Sequence, residues 1–483
     1  MRISRPGRPP GTTRPASRPL AGLLPAGPLL AAALLAGCSS VHAPAGTAAN
    51  GTSGSKPASS APLTPAAAGA TNWPQYHLNA ARTGLATGLP AAGKLSMAWT
   101  RRLDGAVYGQ PLAIGGTVVA ATENDSVYGL SRSTGRVLWR RHLGTPVPLS
   151  ALPCGDINPL GITGTPAYDP ASKLVYVVAE ETGYRHVLYG ITLTGQVRFG
   201  RNLPTPDHQP EYDQQRPAVT LAGGRVYVAF GGLFGDCGPY TGSVVSVPAS
   251  GLGTQTSYRV PTSREGAIWG AGNLVAGPHG TLYATVGNGA AHGGRYDGSD
   301  SVIELTAALH RAAFFAPATW AADNAHDLDL GSMSPALLGN ETILADGKRG
   351  TAYLMNAGHL GGIGGQVAQA PVCDAFGGPA VDGTVAYIPC AGGGMAAVNT
   401  AGGHLRVLWR GPGAAEGSPV LGGGAVWVPD WNSGTLYELS QATGRVRQQI
   451  ALGGPLPHFA SPSLSGGLVL TGTLTGVTAV TGA

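Results

Sequence analysis

Charge is scarce in this sequence. Asp, Glu, Lys and Arg make up 11% of its 483 residues, and Phe, Trp and Tyr only 6%. No Cys-x-x-Cys occurs, and no two of the twelve His stand at helical ligand spacing, which argues against a zinc site. There is no Gly-x-Ser-x-Gly elbow, no phosphate-cradling Gly-x-x-x-x-Gly-Lys-Ser/Thr and no His-Glu-x-x-His. One long apolar run exists, over residues 20–35, and it is too short and too broken by Pro to span a membrane as a helix. What the chain has in abundance is turn formers, with 77 Gly and 39 Pro. That composition suits many short strands and tight turns better than helices.

The stretch 417–445 is the clearest sample. Pro419-Val-Leu, Ala425-Val-Trp-Val and Thr435-Leu-Tyr-Glu-Leu read as three half-buried strands separated by Gly-rich turns, and Ala442-Thr-Gly is the turn before a fourth. Such a unit cannot bury both faces alone, and it recurs. An X-Pro pair opens copies at Gln110, Thr165, Arg216, Ser334, Gly378, Ser418 and Ser461, and a degenerate copy begins near Trp269. Eight copies at a period of roughly 40–50 residues are expected of propeller blades. The last copy stops at Gly476-Val-Thr-Ala-Val without a fourth strand, while an orphan at 94–102, containing Trp99, looks like Arg136-Val-Leu-Trp139-Arg-Arg. An N-terminal strand that completes the last blade would close a ring and remove its free edge. The predicted fold is all-β: an eight-bladed β-propeller of four-stranded antiparallel blades.

Ahead of the propeller, residues 1–37 read as a targeting segment. Arg2, Arg5, Arg8, Arg14 and Arg18 precede the apolar run, which ends in Leu35-Ala-Gly-Cys38. That ending resembles a bacterial lipobox and implies lipidation of Cys38. The five arginines account for the whole formal charge of +5; without them 25 basic residues face 25 acidic ones. No net field then remains to attract nucleic acid or anionic lipid, so membrane contact is expected through the lipid alone. Residues 38–70 are rich in Ser, Gly, Ala, Pro and Thr and are expected to form a flexible tether, with the propeller over 71–483. Four Cys remain, which allow three pairings. Cys373 and Cys390 lie in one repeat and are paired here, which leaves Cys154 with Cys237. Each bridge would contribute on the order of 3 kcal/mol if unstrained.

The repeat, with its Tyr128-Gly-Leu or Tyr437-Glu-Leu, its Thr-Gly turn and its closing Trp139 or Trp409, resembles the pyrroloquinoline-quinone (PQQ) propeller repeat. Relatives of that repeat include quinoprotein dehydrogenases and a non-enzymatic lipoprotein of outer-membrane barrel assembly. The dehydrogenases use PQQ and calcium on the propeller axis, and the resemblance implies a site here. Asn288 in Val-Gly-Asn-Gly resembles a calcium ligand, with Asp236 as a looser second. Asp327 in His326-Asp-Leu-Asp329 resembles the catalytic base, Lys348 in Gly-Lys-Arg-Gly resembles the basic residue beside the quinone, and Trp269 stands in for the stacking Trp. The pattern departs from the family in two respects: there is no adjacent Cys-Cys pair, and His326 replaces the Trp before the base.

Plainer roles compete with these. Asp125, Asp300 and Asp430 sit at turns, where Asp satisfies backbone donors. Asp207-His208 and the acidic residues 211–213 read as an exposed connector, and Trp139 and Trp409 as packing residues between blades. Two functional readings therefore lead, ahead of a third, a factor assisting assembly of exported proteins. One is a cell-surface lipoprotein, monomeric, whose propeller is a binding or scaffolding platform for a protein or small molecule. The other is a PQQ- and calcium-dependent oxidoreductase acting on an alcohol or sugar.

Overall fold

The computed structural model describes residues 72–482. The leader, Cys38 and the tether lie outside the described residues. Eight sheets, each built on four antiparallel strands, form a β-propeller, and three of them carry a fifth short strand. Their first strands are Leu112–Ile114, Ala167–Asp169, Thr220–Ala222, Val275–Ala276, Ala336–Leu337, Ala380–Asp382, Val420–Gly422 and Ser463–Ser465, which number blades 1 to 8. Every repeat read in the sequence supplies one blade, the degenerate copy included. The first strand of blade 1 lies beside that of blade 8, so the ring closes. Here the upper face is the one on which first strands begin; the turns between first and second strands lie on the lower face.

Closure uses the orphan strand. Ser96–Arg102 pairs antiparallel with Gly476–Thr481 and becomes the fourth strand of blade 8. The side chain chemistry of the repeat shows why this works. On a fourth strand, Trp99 donates its indole N–H to Arg132 O of blade 1 at 2.8 Å, and Gly135 of that blade lies under its ring. Trp139 does the same to Leu193 O and Gly195 of blade 2, and Trp409 to Gln441 O and Gly444 of blade 7. The Thr-Gly turn and the closing Trp are thus two halves of one joint between blades. Gly135, Gly195 and Gly444 all have positive φ, and a Cβ on any of them would collide with the ring above it. The apolar clusters follow the same logic, each shared between neighbouring sheets: Ala121 and Val127 of blade 1 pack with Val175 and Val177 of blade 2.

The space inside the ring is filled by the chain itself. Residues 72–90 enter beside the blade 1 turn, where Asn72 Oδ1 accepts Gly115 N–H, and Trp73 pairs with Ala113. The segment then offers acceptors to first strands around the ring. Pro74 O accepts from Tyr168, Gln75 Oε1 from Leu221, Ala80 O from Ala276, Thr83 O from Val381 and Gly84 O from Leu421. Leu85–Ala86 completes the circuit as a short parallel strand on Val420–Gly422. In blades 1 to 4, 6 and 7 the inner strand edge that a propeller would leave unpaired is met by this plug. Its polar groups are held in turn. His77 Nδ1–H donates to Pro379 O at 3.1 Å, and its Nε2 accepts from the Ser461 hydroxyl at 3.0 Å. Arg82 donates to Tyr76 O, Val219 O and Thr220 Oγ1.

The disulfides Cys154–Cys237 and Cys373–Cys390 form as paired from the sequence. The first ties the loop before blade 2 to the loop between the second and third strands of blade 3. The second ties the entry of blade 6 to the end of its second strand, Val385–Cys390. Both bridges brace the upper face.

The joint predicts that Gly135→Ala costs roughly 2–4 kcal/mol, adding overpacking to left-handed strain, in urea unfolding. Gly116→Ala, with open space around the new methyl, should be close to neutral. For the plug, burial lowers the His77 imidazole to about 3, so the folded ring resists a proton that the unfolded chain accepts. The stability His77 contributes is therefore present above the ordinary histidine value and lost as pH falls from 6.5 towards 3. His77→Leu should cost about 2–3 kcal/mol near neutrality by orphaning Pro379 O and leaving the Ser461 hydroxyl proton without its acceptor. The gap between variant and parent should shrink on acidification.

Candidate functional site

The X-Pro pairs that open the repeats lie where first strands enter the channel. Pro cannot donate a hydrogen bond there, and the residue before it stitches neighbours together. Thr165 Oγ1 accepts Gln110 N–H, Ser334 Oγ accepts Gly272 N–H and Ser418 Oγ accepts Gly378 N–H, each across a blade boundary. Inside this ring sits the plug, with Tyr76 stacked on His77 at 4.1 Å. The Tyr76 ring forms the floor of a narrow central cleft on the upper face, walled by Tyr108, Thr163, Arg216, His458 and Phe459. The cleft is about 20 Å³, room for a water or two.

Half-buried aromatic rings gather at this mouth. Trp269 lies 6.3 Å from Phe376 and 5.9 Å from Phe459, and Trp431 lies 6.0 Å from Phe459. Phe459 holds a φ of 63°, an unusual conformation for a bulky residue, with its carbonyl accepting from Ser418 Oγ. Phe376 is positioned by the Cys373–Cys390 bridge three residues before it.

Most of the residues implied by the PQQ resemblance come to the rim of this cleft. Lys348 Nζ stands 5.9 Å from the Trp269 ring centroid, 2.7 Å from Asp327 Oδ1 and 3.2 Å from Asp329 Oδ2. Burial alone would lower the Lys348 ammonium, but Asp329 and Asp327 outweigh it and hold it above the ordinary lysine value. Burial raises the Asp329 carboxyl, against the pull of Lys348. Of the pair Asp327 and Asp329, the second is the buried one; Asp327 is exposed at φ 55°. Asn288 joins the group through its backbone, its N–H donating to Asp329 Oδ1. Asp236 is exposed and accepts the Tyr240 hydroxyl at 2.6 Å, while its carbonyl accepts from Arg264.

This donor set does not fit a metal-bound quinone. Asp329 is engaged by Lys348 and Asn288, Asp236 is engaged by Tyr240, and among the described residues no three His, Cys, Asp or Glu side chains converge to hold a metal. The axis itself is occupied by Tyr76, His77 and Phe459. Sequence reading missed these residues. The one signal was the run Trp73-Pro-Gln-Tyr-His, aromatic and polar, standing between the tether and the first blade strand.

The turn roles divide. Asp430 Oδ1 accepts the N–H groups of Asn432 and Ser433, as expected of a turn Asp. Asp300 Oδ1 reaches Leu330 N–H in the next blade, and both Asp125 oxygens are buried without a partner. The connector over 207–213 is corrected at one end: Asp213 is buried and pairs with Gly232 of blade 3, because its strand is added to that sheet.

A family model described as outer membrane protein assembly factor BamB matches residues 76–286 and 317–450. No curated protein matches the sequence. Among solved structures, the chain is similar to the quinohemoprotein alcohol dehydrogenase of Comamonas testosteroni, with a TM-score of 0.66 and 14% identity over 86% of this chain and 81% of that one. It is similar to BamB of Moraxella catarrhalis, with a TM-score of 0.58 and 14% identity over 81% of this chain and 100% of that one. A europium-containing methanol dehydrogenase gives a TM-score of 0.65 and 13% identity over 86% of this chain and 98% of that one. At these identities the likeness to solved structures speaks to the fold alone. With the family model spanning more than half of its length, the chain belongs to the PQQ-repeat family described as outer membrane protein assembly factor BamB.

Proposed function

We propose that this protein is an exported propeller, tethered through a lipid on Cys38, whose upper face is a binding or scaffolding platform. The observation that carries this reading is the filled channel. Residues 72–90 pair with first strands around the ring, and Tyr76 and His77 leave a cleft of about 20 Å³ where a cofactor would need a cavity of several hundred. Two disulfides suit an oxidising compartment outside the cytoplasm. Their placement on one face, around half-buried aromatic rings, favours that face as the working one: aromatic side chains supply contact area at low entropic cost. The family match to a BamB-type assembly factor supports a protein partner.

The second reading, an oxidoreductase using PQQ and calcium with Asp327 as base, draws on the grouping of Lys348, Asp327 and Trp269 at the rim. Titrating the purified propeller with PQQ and calcium by calorimetry separates the two. We expect no saturable heat and no dye reduction with alcohols or sugars. Saturable binding, with turnover lost in Asp327→Asn, would overturn the platform reading. For the anchor, Cys38→Ala is expected to move the protein from the membrane fraction to the soluble one; unchanged retention contradicts lipidation.

A further inference from the structure

On the upper face, where blades 1, 2 and 3 meet, the protein buries four carboxyl groups with little cationic charge beside them. Glu123 and Asp125 come from the turn after the second strand of blade 1, and Glu180 from the second strand of blade 2, Leu174–Glu181. Asp213 comes from Asp213–Gln214, the short strand added to blade 3. None of the four is more than 3% exposed. Glu123 Oε2 accepts Gly161 N–H at 2.9 Å, and Asp213 Oδ2 accepts the Thr205 hydroxyl at 2.5 Å. Few donors reach the remaining oxygens: both oxygens of Asp125, Glu180 Oε1 and Asp213 Oδ1 have none, and only the Thr163 hydroxyl stands by to serve Glu123. A buried carboxylate with so few donors is strongly disfavoured, and retaining its proton is the usual escape.

The charged groups packed against the cluster do not change this. Glu123 faces Arg216, but that guanidinium is shared with Asp156 at 3.7 Å. Asp125 faces Glu123, Glu181 and Glu180, and the Arg185 near Glu181 is bound to it at 2.6 Å. Asp213 faces Asp207, Glu180 and His186. His186 lies 3.3 Å from Glu180, which outweighs burial and raises the imidazole above the ordinary histidine value, so Glu180 is the one member of the four with a basic partner at ion-pair distance. Tyr108 and Tyr189 border the cluster as neutral phenols, both raised by burial.

We propose that Glu123, Asp125, Glu180 and Asp213 form a proton-held latch: protonated, they let the upper corners of blades 1, 2 and 3 close on one another, and on ionising they push those corners apart. The latch borders the central cleft, because Tyr108, Thr163 and Arg216 line both. Opening it would loosen one wall of the proposed platform while the opposite half of the ring stays shut. Burial pushes the Glu123 carboxyl to about 8, Asp125 to about 9 and Asp213 to about 7, and raises Glu180 against the pull of His186. Each folded value lies above its unfolded one, so the stability is present in full below the ordinary carboxylate range and is lost as pH rises through about 7 to 9.

Hydrogen exchange on the whole chain, corrected for intrinsic rate and run from about pH 6 to about pH 9, tests the latch. The amides of Gly161 and Leu143, bonded to Glu123 and to Asp125 O, should lose protection by about tenfold or more. Those of Val381 and Leu421, in blades 6 and 7, should hold. The double variant Glu123→Gln, Asp125→Asn keeps the shapes, leaves only Glu180 and Asp213 to titrate, and should lose clearly less protection than the parent across the range. Equal loss in both halves of the ring, no loss at all, or the same alkaline loss in the double variant overturns the proposal. So does restoration of protection by calcium chloride at alkaline pH, which would make the cluster a cation site. If the double variant fails to fold, the protonated-carboxyl stretch in the infrared spectrum decides. A band present near neutrality, lost on alkalisation and weakened in the single variant Glu123→Gln supports the latch. A band absent throughout or unchanged by Glu123→Gln refutes it, since Asp300 and Asp346 are also buried carboxyls held above the ordinary range.

Discussion

A ring of sheets has an inner as well as an outer edge, and the inner one governs this protein. Each first strand presents backbone N–H and C=O groups to the channel, and these cost free energy unless something pairs with them. Water could meet them in an open pore. Here the chain returns its own N-terminal segment to do so, from Trp73 on blade 1 to Leu85–Ala86 on blade 7. The same segment then runs out to Ser96–Arg102 and closes the outer sheet of blade 8. One stretch of chain therefore seals the ring twice, at the axis and at the perimeter.

The consequences reach the upper face. Because Tyr76 and His77 fill the axis, the X-Pro residues Gln110, Thr165, Ser334, Ser418 and Ser461 spend hydrogen bonds on the plug and on neighbouring blades. Lys348 is held between Asp327 and Asp329 in the same self-satisfied way. This face presents half-buried aromatic rings on a frame fixed by two disulfides.

The blades were legible because their signals are local. Thr134-Gly135 and Trp139 lie within a few residues of the turns and strands they serve, and the joint they make repeats along the chain. The closing strand was legible for the same reason, since Trp99 stands in the motif of Trp139. The plug was not, because residues 72–90 follow neither a strand nor a helix period and are shaped by partners tens to hundreds of residues away, such as Pro379 and Ser461 for His77. Asp213 was hidden likewise. Its burial follows from the edge of blade 3, and a Pro-bounded acidic run carries no mark of that. Of the candidate site, residue types were readable and commitments were not: sequence named Lys348 and Asp327, and only geometry reveals that Asp329 is the buried partner.

The account rests on the plug being a permanent part of the ring, and amide exchange reads this directly. The N–H groups of Tyr168, Ala276, Val381 and Leu421 donate to plug acceptors. If the plug never leaves, they exchange only through global unfolding, with protection equal to that of mid-blade amides. Fast exchange at these four positions, with the blades otherwise protected, would mean that the channel opens in the native state and would contradict the account.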